Sequence, residues 1–90
     1  MDQNRKPQQK EGFMLETLDG EIMLYSIATT RIFALNQSAA LIWQLCSGQY
    51  TVAEIIDALA AAYPESQDKI QAQVEETLTL LLTNGAIELR

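Results

Sequence analysis

The chain has no histidine and a single cysteine, Cys46, among its ninety residues. Without histidine, neither a His-based catalytic triad nor a zinc site of ordinary type can be assembled. One cysteine cannot close an intrachain disulfide, so nothing in the sequence calls for an oxidising compartment. Basic residues are scarce as well: six, against twelve acidic ones, for a net charge of −6. Arg5, Lys6 and Lys10 lie near the start, which leaves Arg31, Lys69 and Arg90 to face ten carboxylates from Gly12 onward. Such an acidic body repels phosphate backbones and anionic lipid surfaces, so neither nucleic acid nor membrane is expected as a partner. A long apolar run is missing too. The uncharged stretch from Ile32 to Ala53 is broken by Asn36, Gln37, Ser38, Gln44, Ser47, Gly48 and Gln49, too polar to span a bilayer. The opening MDQNRKPQQKEG has no apolar signal region, and a cytoplasmic location is the expectation.

What is present suits a small globular domain. Apolar residues make up 48% and charged residues 20% of the chain, enough for one core with a narrow stability margin. Residues 1–12, rich in Gln, Lys and Asn, read as a disordered tail, leaving 13–90 as the domain. Phe13–Leu18 and Glu21–Ile27 flank Asp19-Gly20, a pair suited to the positive φ angles of a type I′ hairpin. Thr30-Arg31-Ile32-Phe33-Ala34-Leu35 is β-branched and aromatic enough for a third strand, although Ala28-Thr29 offers no ordinary turn residue.

Beyond Leu35 the period becomes helical. Asn36 is a natural N-cap for a helix through Ala39, Leu41, Ile42, Leu45 and Cys46, stopped at Ser47-Gly48. Thr51-Val52-Ala53-Glu54 spells a capping box that opens a second helix, ended by Tyr63-Pro64. A third helix from about Ser66 or Asp68 to Asn84 buries Ile70, Val74, Leu78 and Leu81, and Ala86–Leu89 leaves as an extended segment. The predicted architecture is α+β: a three-stranded antiparallel sheet followed by three helices.

Little in this inventory can do chemistry. Cys46 has no base and no cation nearby in sequence and reads as a packed helix-end thiol. Ser38 at a helix start invites comparison with a small acidic acyl carrier. It is not preceded by Asp, and three N-terminal strands do not suit such a helical protein. Glu75 and Glu76 are adjacent on a helix and diverge by about 100°, so they form no general acid/base pair. They also make the third helix acidic, which is wrong for entering a DNA groove. Phe33, Trp43 and Tyr50 read first as core. No catalytic residue, metal ligand or cofactor site is predicted. A binding surface remains. The third strand is apolar on both faces, and an edge strand left open can pair with an incoming peptide. The third helix has apolar residues on two flanks, Leu80 on one and Leu78 and Leu82 on the other, either of which could face the sheet edge.

From the third strand onward the chain resembles the PqqD-like family of precursor-peptide chaperones, the RiPP recognition elements. The resemblance lies in Leu35-Asn36, Ala39-Ala40-Leu41-Ile42, Leu45-Cys46-Ser47-Gly48 and Thr51-Val52-Ala53-Glu54-Ile55, then Val74, Leu78, Leu81 and Gly85, in that order. It implies a non-catalytic, winged-helix-like domain that binds the leader of a ribosomally made peptide and presents it to a modifying enzyme, often a radical SAM protein. In that family the leader adds to the third strand and packs against the third helix. Arg31, Ile32, Phe33, Ala34 and Leu35 are then the expected peptide-binding residues of the strand, with Gln71, Glu75, Leu78 and Leu82 from the helix. If Phe33 offers its amide to the leader, a proline there blocks binding. The same edge could pair with a second copy, so a homodimer is a further expected partner. The other reading to keep is a winged-helix regulator that acts through protein contacts.

Overall fold

The computed structural model describes all ninety residues. Its element order is β1 (Pro7–Gln9), β2 (Phe13–Leu18), β3 (Glu21–Ser26), β4 (Arg31–Leu35), α1 (Gln37–Leu45), α2 (Val52–Ala62), a 3-10 turn (Pro64–Ser66), α3 (Gln67–Thr83) and β5 (Ile87–Leu89). The three strands predicted from sequence are β2, β3 and β4, which form an antiparallel sheet in that order. Together with three helices they give the expected α+β, winged-helix-like architecture. Asp19 and Gly20 both adopt positive φ, 52° and 80°, so the β2–β3 turn is the two-residue type the sequence called for. The β3–β4 link is a four-residue loop, Ile27–Thr30, that puts Thr30 at φ 53°. A β-branched residue is strained there, so the register is held by the pairing of Ser26 with Arg31 and beyond rather than by turn chemistry.

Local capping sets the helix boundaries. The Asn36 side chain accepts the Ala39 amide at 2.8 Å. Thr51 and Glu54 complete the capping box in both directions, at 3.1 and 2.9 Å. At the end of α3, Gly85 at φ 71° reverses the chain. Its amide donates to the Leu82 carbonyl and that of Ala86 to Leu81, a Schellman motif that satisfies the last turn. The core lies where one face of the sheet, through Leu24 and Leu35, meets all three helices. Ile42 and Trp43 come from α1, Ile55 and Leu59 from α2, and Ile70, Val74, Leu78 and Leu81 from α3. Trp43 also packs on Phe13, ring centres 6.2 Å apart.

The first twelve residues are not the disordered tail their composition suggests. Pro7–Gln9 pairs antiparallel with Ile87–Leu89 as a separate two-stranded sheet, with Pro7 opposite Leu89. Pro7 is fully buried. Around it the Gln9 amide donates to the Cys46 carbonyl, and the Gly48 amide to that of Pro7. The Val52 and Ala53 amides, in the first turn of α2, donate to the carbonyls of Arg5 and Gln3. A polar composition concealed this arm because backbone groups and one proline, not apolar side chains, attach it.

Candidate functional site

Strand β4 has β3 on one side and no strand on the other. Which of its backbone groups are free follows from the register. In a two-residue hairpin the residues flanking the turn, here Leu18 and Glu21, form a hydrogen-bonded pair. Bonding then alternates, so Met23 and Tyr25 also bond to β2, while Ile22, Leu24 and Ser26 bond to β4. Their partners are Leu35, Phe33 and Arg31. The Phe33 amide therefore faces inward, which corrects the expectation that it meets a peptide; a proline there would break the sheet itself. Ile32 and Ala34 turn their N–H and C=O groups to the open side.

Beside the C-terminal half of β4 runs a groove of about 590 Å³, bounded by Ala34 and Leu35 from the strand and by α3 opposite. The α3 residues along it are Gln73, Glu76, Thr77, Thr79 and Leu80. Leu80, 43% exposed, gives it an apolar wall on α3, and Ala39 at the start of α1 adds to its apolar lining. Its rim is polar, with Asn36, Ser38, Gln73 and Glu76. The Ser38 hydroxyl donates to the Asn36 side chain at 2.9 Å, within the helix cap. At the other end of β4 the Arg31 guanidinium donates to the Asn84 side-chain oxygen at 3.3 Å. Arg31 thus sits near the end of α3 while Ala34 and Leu35 sit beside its middle, so strand and helix run in opposite directions.

The expected residues divide accordingly. Arg31 and Ile32 are exposed, Phe33 is half-buried, Ala34 is exposed at the groove, and Leu35 is buried at its base. On α3 the groove uses the flank opposite to Gln71, Glu75, Leu78 and Leu82, the residues expected from sequence. Gln71 is exposed away from it, and Glu75 is half-buried, 3.7 Å from the N-terminal ammonium of Met1. Leu82 packs against the core and Leu78 is fully buried in it, so its side chain offers nothing to the surface. Sequence reasoning missed Gln73, Glu76, Thr77 and Thr79. The available signal was Leu80, an apolar residue off the buried stripe on that side. Helical spacing identified both flanks but not which one the chain would turn toward β4.

No cluster of three His, Cys, Asp or Glu side chains comes together, and no helix is long and apolar enough to cross a membrane. Cys46, fully buried, donates its thiol to the Ile42 carbonyl at 3.1 Å. Burial pushes its pKa up to about 12, the opposite of what a nucleophile needs. The arrangement suits contact along a strand edge and a groove.

Comparison with known proteins agrees with this geometry. Two solved structures share the fold. TbiB1 in complex with the TbiA(beta) leader peptide is 22% identical over 90% of this chain and 94% of its own, with a TM-score of 0.73. A lasso peptide synthetase B1 complexed with the leader peptide is 19% identical over 92% and 98%, with a TM-score of 0.75. No curated protein sequence gives a significant match. The family model for coenzyme PQQ synthesis protein D matches residues 21–87, a span running from the start of β3 to the first residue of β5. The chain therefore belongs to the PqqD family.

Proposed function

We propose that this protein is a non-catalytic adaptor that binds the leader segment of a ribosomally synthesised precursor peptide and presents it to a modifying enzyme. The observation that carries this reading is the open edge of β4 beside the α3 groove. An extended peptide can bond to the free backbone of Ile32 and Ala34 and place alternate side chains against Leu35, Thr77 and Leu80. Both similar structures hold leader peptides, which supports the same class of ligand here. The proposed contacts are Arg31 to Leu35 on the strand and Gln73, Glu76, Thr77 and Leu80 on α3, in place of Gln71, Glu75, Leu78 and Leu82. A leader that is disordered when free loses entropy on docking, which favours reversible binding suited to handing over a substrate. The enzyme served, a radical SAM protein or another, acts in the cytoplasm in this reading. Pairing of two copies along the same edge competes with the leader.

The test uses Ala34→Pro, which removes an outward amide at an edge position where the sheet tolerates proline. Ala34→Ser keeps the amide. With the leader of a precursor encoded beside this gene, Ala34→Pro should lose about tenfold or more in affinity, the worth of roughly one good hydrogen bond. Ala34→Ser should bind like the parent. Equal affinity for a folded Ala34→Pro variant would remove strand addition at this edge.

A further inference from the structure

We infer that a peptide added to β4 is also read on the far side of the sheet, where Ile32 and Met23, on the near side of a hollow that Tyr25 and Leu18 complete, receive a bulky apolar side chain. This rests on the strand addition proposed above and extends it to a second subsite.

Residues of a strand alternate between faces. Leu24 and Leu35 point to the core, so Met23, Tyr25, Ile32 and Ala34 point away, and the pairing brings Met14, Glu16 and Leu18 alongside them. An antiparallel sheet with one solvated face normally shows polar residues there. Here Met14, Leu18 and Ile32 are 51%, 67% and 64% exposed, and they lie on one face rather than singly scattered. A shallow hollow of about 370 Å³ opens among Glu16, Leu18, Met23, Tyr25 and Ile32. Its only charge is Glu16, at the edge farthest from β4.

The register ties this hollow to the peptide. Ile32 and Ala34 are the residues with free backbone, and their side chains lie on this same outer face. A peptide residue directly opposite either must therefore put its side chain on the outer face, and its chain neighbours go toward the groove. Ala34 sits between the peptide and Met23, its register partner. Its methyl is short, so a large side chain opposite Ala34 meets little until it reaches Met23 and Ile32. Ile32 is then a diagonal neighbour about 7–8 Å away, and Met23, two strand spacings across, lies roughly 10 Å away, within reach of an aromatic or long aliphatic residue meeting an extended methionine. Methionine and a tyrosine edge adapt to several shapes, so the subsite selects for size and apolarity rather than for one residue type. The ligand class that fits is a segment with bulky apolar residues at adjacent positions, one for each face of the added strand.

A display library of random short peptides, selected on the folded full chain, tests this. Met23→Lys puts a charge in the hollow without touching the groove, Met23→Leu restores an apolar group, and Leu80→Glu disrupts the groove alone. Circular dichroism verifies that each variant is folded. Peptides selected on the parent should carry adjacent bulky apolar residues. They should bind Met23→Lys about tenfold or more weakly and Met23→Leu nearly as well as the parent, as expected for loss of one buried apolar contact. Selected peptides with a polar residue beside the groove residue would overturn the outer subsite. So would unchanged binding to Met23→Lys while Leu80→Glu loses it, and in that case strand addition itself stands. Failure to enrich any peptide on the parent would remove both.

Discussion

At the scale of single residues, Cys46 shows how burial decides chemistry. Its thiol is fully buried and bonded to the Ile42 carbonyl, and loss of solvation holds its pKa near 12. The folded state therefore favours the neutral thiol. That contribution is fully present below the ordinary thiol pKa and is lost as the pH rises toward about 12. Stability should begin to fall above roughly pH 8.5, and less steeply in Cys46→Ala, where no thiol can ionise. Thiolate abundance drops about tenfold per pKa unit, so labelling of native protein at neutral pH should be roughly a thousandfold slower than in denaturant. Labelling equally fast in both states would mean that the thiol is accessible. Much at this scale was legible in the sequence. Asn36, the Thr51–Glu54 pair and Gly85 are local signals, and each caps the helix end it implied. Thr30 was not legible, because its left-handed conformation is forced by the sheet on either side of the loop rather than chosen by the residue.

At the scale of elements, the least legible piece was β1. Three polar-looking residues pair with a strand about eighty positions away, and no local pattern announces such a partner. The arm they belong to supports several parts of the body. Lys6 and Arg90 exchange backbone bonds at 2.8 and 2.9 Å, and Arg5 and Gln3 satisfy amides at the start of α2 that lack helical partners. Removing residues 1–9 should lower stability by about 3 kcal/mol in urea denaturation, a large share of the total for a small domain. A loss under about 1 kcal/mol would mean the arm is a passive appendage. Helix α3 was legible as an element and ambiguous as a surface. Its buried stripe follows from spacing, but Leu80 and Leu82 flank that stripe on both sides. Only the path of the chain through α1, beside β4, decides that the Leu80 flank borders the groove.

At the scale of the whole molecule, the three-stranded sheet, the helices and an acidic surface form a platform with one free strand edge beside a groove. The fold class was legible because strand and helix periods separate cleanly at Leu35-Asn36. The open edge was legible as a strand, while the direction of its amides follows only from the register. A net charge of −6 limits association with polyanions and favours partners recognised by backbone bonding and apolar contact. Leader binding at this edge is best measured by an amide-resolved NMR titration of the full chain with the leader of a precursor encoded beside its gene. Strand addition beside the groove predicts shifts concentrated at Arg31 to Leu35 and at Gln73, Glu76, Thr77 and Leu80, with Gln71, Glu75 and Leu82 little moved. Shifts centred on the Gln71, Glu75 and Leu82 flank, or none at saturating peptide, would contradict it.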